Sequence, residues 1–273
     1  MKWGIKRIFN FFWFKTSKIN TNKDISFFND YNRKLGYEFE NDANEIIKTI
    51  RKFTMLPYVN LVTLYEQVLY CEKNNIRGAF VECGVWKGGA TALMASANIK
   101  IGLERRNIHL FDAFEEICAP DIESDGVIAI NEVKQILGDK TLINGELTPL
   151  KGIYDAYGGP GNLAECQSLF ENVVKYPSDK VFFHKGWFQE TLPVESKKIE
   201  SIAILRLDGD WYESTKICLR SLYDKVVPGG FIIIDDYGLY TGCKNAVDEF
   251  FTDRKISVYL NYSSWACRYI IKN

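Results

Sequence analysis

Ile202-Ala203-Ile204-Leu205-Arg206-Leu207-Asp208-Gly209-Asp210-Trp211-Tyr212-Glu213-Ser214 and, soon after, Phe231-Ile232-Ile233-Ile234-Asp235-Asp236-Tyr237 decide the fold of this chain. Each is a short apolar run that breaks into acids, the pattern of strands buried on both faces of a parallel sheet. Between them, Ile217, Leu219, Leu222 and Tyr223 recur at roughly helical spacing over Ser214 to Val226, and Pro228-Gly229-Gly230 ends the segment. The unit reads as strand, helix, strand. Parallel neighbours end at one edge, so Asp208, Asp210, Asp235 and Asp236 are expected together at the carboxyl edge of the sheet, where open α/β folds bind ligands. Four carboxylates gathered there repel one another unless a cation or buried donors compensate. Hard oxygen ligands favour magnesium, calcium or manganese over zinc.

Upstream, Gly78-Ala79-Phe80-Val81-Glu82-Cys83-Gly84-Val85-Trp86-Lys87-Gly88-Gly89-Ala90-Thr91 carries an apolar strand into glycines, with a helix expected from Thr91 to about Ile99. Glycines at a helix start let backbone amides approach a ligand. The spacing matches neither the dinucleotide fingerprint nor the phosphate loop. Asn107-Ile108-His109-Leu110-Phe111-Asp112 reads as a second strand, ending in an acid placed to accept hydrogen bonds from a ribose. Glu82, Gly84, Val85, Trp86, Gly88, Gly89 and Asp112 are therefore the candidates for a nucleoside cofactor. Glu82 either meets an amino-acid ammonium of that cofactor or closes a local network. Taken alone, these residues leave S-adenosylmethionine and NAD both open, the missing third glycine favouring the former.

Composition fits a soluble α/β enzyme. The 273 residues suffice for a large core, and 34 basic against 35 acidic residues give a net charge of −1, which supplies no field to recruit nucleic acid. Cys71, Cys83, Cys118, Cys166, Cys218, Cys243 and Cys267 are odd in number and never form a C-x-x-C pair, which points to reduced thiols in the cytoplasm. Residues 1–50 read as an arm and linker, aromatic and basic at the start, where Trp3, Phe9, Phe11, Phe12, Trp13 and Phe14 mix with Lys2, Lys6, Arg7, Lys15 and Lys18. The apolar stretch is too short to span a bilayer. Residues 1–18 are expected either to lie on an anionic membrane, at its inner face, or to pack on the domain or on a partner subunit.

The remaining elements read in order. Helices are expected at Leu56 to Asn74, Val127 to Leu137, Leu163 to Val174 and Lys244 to Phe251, with a further strand at Lys180 to His184. A polar excursion of this length, about 115–162, is usually a lid or specificity insertion. His109 is expected to be structural; His184, at a strand end, either touches the ligand or turns inward. Ser257 to Leu260 and Trp265 to Ile271 look like a final hairpin with its turn at Asn261 to Ser264.

Thr54-Met55, Phe80 to Gly89, Leu110-Phe111-Asp112-Ala113-Phe114-Glu115, Gly186-Trp187-Phe188 with Thr191-Leu192-Pro193, Leu207 to Thr215 and Asp235-Asp236-Tyr237, in this order, resemble the macrocin O-methyltransferase family. The likeness runs from about Thr54 to the C-terminus. It implies a Rossmann-like class I methyltransferase domain over 51–273, with a mostly parallel seven-stranded sheet, a C-terminal antiparallel hairpin and helices on both faces. It also implies S-adenosylmethionine and magnesium as cofactors, Asp208, Asp235 and Asp236 as metal ligands, and Asp208 or Asp210 as the catalytic base. The acceptor it implies is a small-molecule or glycan hydroxyl, and a homo-oligomer is expected. A catechol-type methyltransferase shares this logic. A nicotinamide oxidoreductase leaves the four acids without a role, and a non-catalytic scaffold predicts their erosion.

Overall fold

The computed structural model describes residues 39–141 and 143–273, so residues 1–18 lie outside the described residues. In chain order, helices α1 (Phe39–Ile50) and α2 (Tyr58–Lys73) lead to strand β1 (Ala79–Cys83), followed by α3 (Gly89–Ile101), β2 (Ile108–Asp112) and α4 (Gly126–Leu137). Next come α5 (Leu163–Ser168), β3 (Val181–Lys185), α6 (Phe188–Glu195), β4 (Ile202–Leu207), α7 (Tyr212–Leu222) and β5 (Val226–Ile234). Helix α8 (Thr241–Asp253) and strands β6 (Asn261–Tyr262) and β7 (Arg268–Ile271) come last. Residues 45–273 form one compact unit, which contains the sheet. Within the expected irregular arm, residues 39–50 are helical, which corrects that reading at its C-terminal end.

The sheet has the order β3-β2-β1-β4-β5-β7-β6. Strands β1 to β5 are parallel, and β7 lies antiparallel to β5 and to β6. This is the expected seven-stranded, mostly parallel sheet. Every residue of β1 and of β4 is buried, because helices cover both faces. On one face Val81, Leu205, Ile232 and Ile234 pack with Leu219 and Leu222 of α7 and Val247 of α8. Leu219 and Leu222 are wholly buried, and each such side chain stabilises the fold by about 1.5–3 kcal/mol. On the other face Arg206, Ile233 and Asp235 meet Asn60, Leu64 and Gln67 of α2.

Connections run outward from β1 through β2 to β3, then return to place β4 on the opposite side of β1. That reversal opens a crevice between the carboxyl ends of β1 and β4, the usual ligand position in this architecture. The ladder continues past the strands: Gly84 N donates to Phe111 O (2.8 Å), Asp208 N to Cys83 O (2.9 Å) and Asp235 N to Leu207 O (2.9 Å). The loops after β1, β4 and β5 therefore leave the sheet side by side.

Two local expectations need correction. The hairpin strand read at Ser257 to Leu260 forms at Asn261–Tyr262 instead, and β7 begins at Arg268. The turn occupies the residues between, because Cys267 O accepts from Ser263 N and Ser264 N while Ser264 Oγ accepts from Cys267 N. The helix read over Leu163 to Val174 has the expected extent, but its second half, Leu169–Val174, is wound as a π-helix. Asn162 starts it by accepting from Glu165 N at 2.9 Å.

The polar excursion about 115–162 is ordered around a small core of Ala119, Val133, Ile143, Leu150 and Ile153.

Candidate functional site

The loop after β1 is shaped by glycine and by Asp112. Gly84 has φ +85°, and a Cβ there would lie 1.8 Å from Asp208 O, so only glycine lets this loop rest against the loop after β4. Asp112 Oδ2 accepts from Val85 N (2.7 Å) and Trp86 N (3.1 Å), and its Oδ1 accepts from Phe114 N (2.6 Å). The amides of Val85 and Trp86, expected to face a ligand, are thus taken up by the acid. A carboxylate offers about four acceptor positions, so Asp112 keeps one for an incoming hydroxyl. Burial pushes its carboxyl up to about 6, against the pull of these amides. Gly88, at φ +83°, precedes α3 as its N-cap and Gly89 opens the helix.

Trp86, Phe114 and Asp210 have φ of 47°, 53° and 56°. Left-handed backbone is costly for such residues, and here it recurs just beyond β1, β2 and β4. Asn75, Lys175 and Lys255 share this conformation elsewhere, so the strain is not confined to the crevice.

Period-2 alternation and register bring Glu82, Arg206 and Asp235 onto one face, since Glu82 pairs with Arg206 and Arg206 with Ile233. Arg206 Nη1 donates to Glu82 Oε1 (2.6 Å) and Asp208 Oδ2 (2.7 Å). Its Nη2 lies 2.9 Å from Asp235 Oδ1, an ion pair by distance without hydrogen-bond alignment. Thr91 Oγ1 donates to Glu82 Oε2. Glu82 is 1% exposed, and each of its oxygens has a partner in this network. Burial pushes Glu82 up to about 7, with Arg206 pulling the other way.

Asp208, Asp210 and Asp236 form the second group: one carboxylate oxygen of each lies within 4.8 Å of the others. The expected trio was Asp208, Asp235 and Asp236. Asp210, expected beside them, makes up the close group with Asp208 and Asp236, while Asp235 Oδ1 lies 2.9 Å from Arg206 Nη2. Asp236 Oδ2 also accepts from Asp210 N at 3.3 Å. Burial first, and then the neighbouring acids, push the Asp210 and Asp236 carboxyls well above the usual range. Such a group fits a hard divalent cation, which would replace mutual repulsion by shared attraction.

Residues of the insertion fasten this centre, and sequence reasoning missed all of them. Trp211 Nε1 donates to Cys118 O (2.9 Å), Tyr212 N to Asp125 Oδ1 (2.6 Å) and Tyr240 Oη to Glu132 Oε2 (2.7 Å). In the loop after β1, Trp86 Nε1 donates to Gly159 O (3.2 Å) and Lys87 Nζ to Gly158 O (3.0 Å). Both histidines lie in a separate chain of contacts: His109 Nδ1 is 3.0 Å from His184 Nε2, and His184 Nδ1 is 3.3 Å from Glu195 Oε2. His184 therefore turns inward. The seven cysteines are buried and unbridged, and among the described residues no helix is long and apolar enough to cross a membrane.

The family model described as macrocin-O-methyltransferase (TylF) matches residues 19–139 and 165–272. Demethyldecarbamoylnovobiocin O-methyltransferase of Streptomyces niveus is 35% identical over 177 residues, covering 65% of this chain and 59% of the relative. A tetracenomycin-C rhamnosyl 4'-O-methyltransferase of Streptomyces olivaceus is 30% identical over 189 residues, covering 68% and 64%. The chain thus spans about three fifths of the length of these relatives. Among solved structures, the O-methyltransferase NovP superposes with a TM-score of 0.64 at 32% identity, covering 81% of this chain and 82% of that one.

Proposed function

Because the chain belongs to the macrocin-O-methyltransferase family, we propose that it is an S-adenosylmethionine- and divalent-cation-dependent O-methyltransferase acting on a hydroxyl of a sugar or sugar-bearing natural product. The observation that carries this reading is the acid group Asp208, Asp210 and Asp236, set beside the loop that Asp112 shapes. The relatives' names, a rhamnosyl 4'-O-methyltransferase among them, support a sugar hydroxyl over a catechol. A nicotinamide oxidoreductase gives the acid group no work.

Asp112 and the Gly84 to Gly89 loop would hold the nucleoside, with Glu82 supporting them from below. Asp208 and Asp236 belong to both the expected and the observed trio and would hold the cation, Asp210 completing the set. When bound, the cofactor supplies an electrophilic methyl group and the cation lowers the pKa of an adjacent hydroxyl. Asp210 or Asp208 would accept the proton that the acceptor oxygen loses as the methyl group passes to it, the methyl–sulfur bond breaking to leave S-adenosylhomocysteine. Trp86, Trp211 and Tyr240, fixed by the insertion, hold the crevice walls and exclude water.

The deciding experiment is calorimetric titration with S-adenosylmethionine, with and without magnesium, of the wild type and Asp112→Ala. Micromolar binding weakened by the substitution is expected. Absence of binding to folded protein would overturn the reading. A homo-oligomer and a peripheral membrane contact through residues 1–18 are part of the same proposal. Unchanged liposome partitioning after deletion of 1–18 would remove the second.

A further inference from the structure

Arg206 is the one member of the acid centre that carries positive charge in the contacts above, and it sits inside a strand at 2% exposure. Its guanidinium bridges three acids: Nη1 serves Glu82 and Asp208 at 2.6 and 2.7 Å, and Nη2 stands 2.9 Å from Asp235. Asp208 is shared. It belongs to the Arg206 cluster through Oδ2 and to the Asp208, Asp210 and Asp236 group at the same time. On the α2 side Asn60 Nδ2 donates to Asp235 Oδ1 at 3.5 Å, while Asn60 Oδ1 and Gln67 Nε2 are buried without hydrogen-bond partners, so no hydrogen bond from that side holds the guanidinium.

A buried unpaired guanidinium is very costly, which holds Arg206 against its carboxylates. Conversely, the acids Glu82, Asp208 and Asp235 would face one another without it. A divalent ion arriving at Asp208 therefore meets a carboxylate already engaged by a cation, and approaches a fixed positive charge that repels it. Both effects weaken its binding, and both keep the centre folded when it is absent.

We propose that Arg206 is an internal competitor for the divalent cation: a positioning residue that holds Asp208 and Asp235 in place in the metal-free protein and lowers the cation affinity of the site. This rests on the reading that the acid group takes a divalent cation. Glu82, by sharing Nη1, limits how firmly Arg206 holds Asp208.

The test is Mn2+ affinity, read by electron paramagnetic resonance on the full chain, together with melting in EDTA and in Mn2+. Arg206→Met is expected to lower the melting temperature in EDTA, to bind Mn2+ at least tenfold more tightly, and to gain more from Mn2+ on melting than the wild type does. Glu82→Gln, which leaves Nη1 a neutral amide oxygen in place of a competing carboxylate and so strengthens its hold on Asp208, is expected to bind Mn2+ at least threefold more weakly. A merely structural arginine would give weaker or unchanged binding in Arg206→Met, and that result overturns the proposal. If Arg206→Met fails to fold even in Mn2+, Glu82→Gln decides: unchanged or tighter binding there overturns it. A wild type that binds no Mn2+ at millimolar concentration would instead remove the cation reading on which all this rests.

Discussion

Asp236→Asn removes one negative charge from the acid group while preserving its shape. The amide oxygen can still accept from Asp210 N, which lies 3.3 Å from Asp236 Oδ2. Two unit charges 4.8 Å apart, the largest separation within the group, repel by about 3.5 kcal/mol at an effective dielectric of about 20. Protonation limits what the protein suffers: neutralising an ordinary carboxylate at pH 7 costs about 4 kcal/mol, at ~1.4 kcal/mol per pH unit. The relief from losing one charge therefore lies between about 1 and 4 kcal/mol, side-chain relaxation taking up part of it. In EDTA the variant should be more stable than the wild type by that amount, a rise in melting temperature of about 2–10 °C for a chain of this size. In magnesium the order should invert. A cation at a hundred times its dissociation constant adds about 2.7 kcal/mol to the wild type, and the variant forfeits most of it. Urea denaturation in the two buffers measures both numbers. A variant less stable than the wild type in EDTA would refute the claim that the acids repel, and an equal magnesium gain in both proteins would refute their grouping around a cation.

Acidic groups held above their unfolded values make stability depend on pH in a defined direction. Glu82 at about 7 and Asp112 and Asp235 at about 6 bind protons in the folded protein that the unfolded chain has released. Metal-free stability should be full below about pH 4 and fall as pH rises to about 7; a flat denaturation profile across that window contradicts it. Gly84→Ala forces a Cβ to 1.8 Å from Asp208 O at positive φ, so a loss of more than about 3 kcal/mol, or no soluble protein, is expected. A normal melting curve would show that the loops after β1 and β4 are not in contact. Trp211→Phe keeps the ring but leaves Cys118 O without its partner, which should cost about 1–3 kcal/mol and quicken proteolysis within 115–162. Unaltered cleavage there would mean that Trp211 does not fasten the insertion.

The sheet was legible because its strands announce themselves. Ile202 to Leu207 and Phe231 to Ile234 are apolar throughout, as only strands covered on both faces can be, and the acids that follow fell at one edge by topology alone. Which acids face each other was not legible. Asp210 reaches the group through a left-handed backbone at φ 56°, a conformation that no propensity for aspartate foretells. Arg206 did leave a signal. A lone charge within the apolar β4, and another at Glu82 within β1, stand the same distance before their strand ends, and parallel register pairs them. The final hairpin slipped because Ser257 to Leu260 has strand composition, whereas the pairing of β7 with β5 at Ile234 and Arg268 sets where the turn must fall. Contacts from the insertion were invisible, since they join residues as far apart as Cys118 and Trp211 with no periodicity to link them.

Those contacts are made in an unusual currency. At Cys118, Gly158 and Gly159 the insertion is gripped by its carbonyl oxygens, and the side chains that do the gripping, Trp211, Lys87 and Trp86, belong to the loops after β4 and β1. A carbonyl is the same whatever residue carries it. Asp125 and Glu132 add side-chain grips nearer the start of the insertion, whereas residues 140–164, which include the carbonyls of Gly158 and Gly159, are the stretch that the family model leaves unmatched. The scaffold thereby keeps its acid group on the strand ends and lets the stretch lying over them differ from the family pattern.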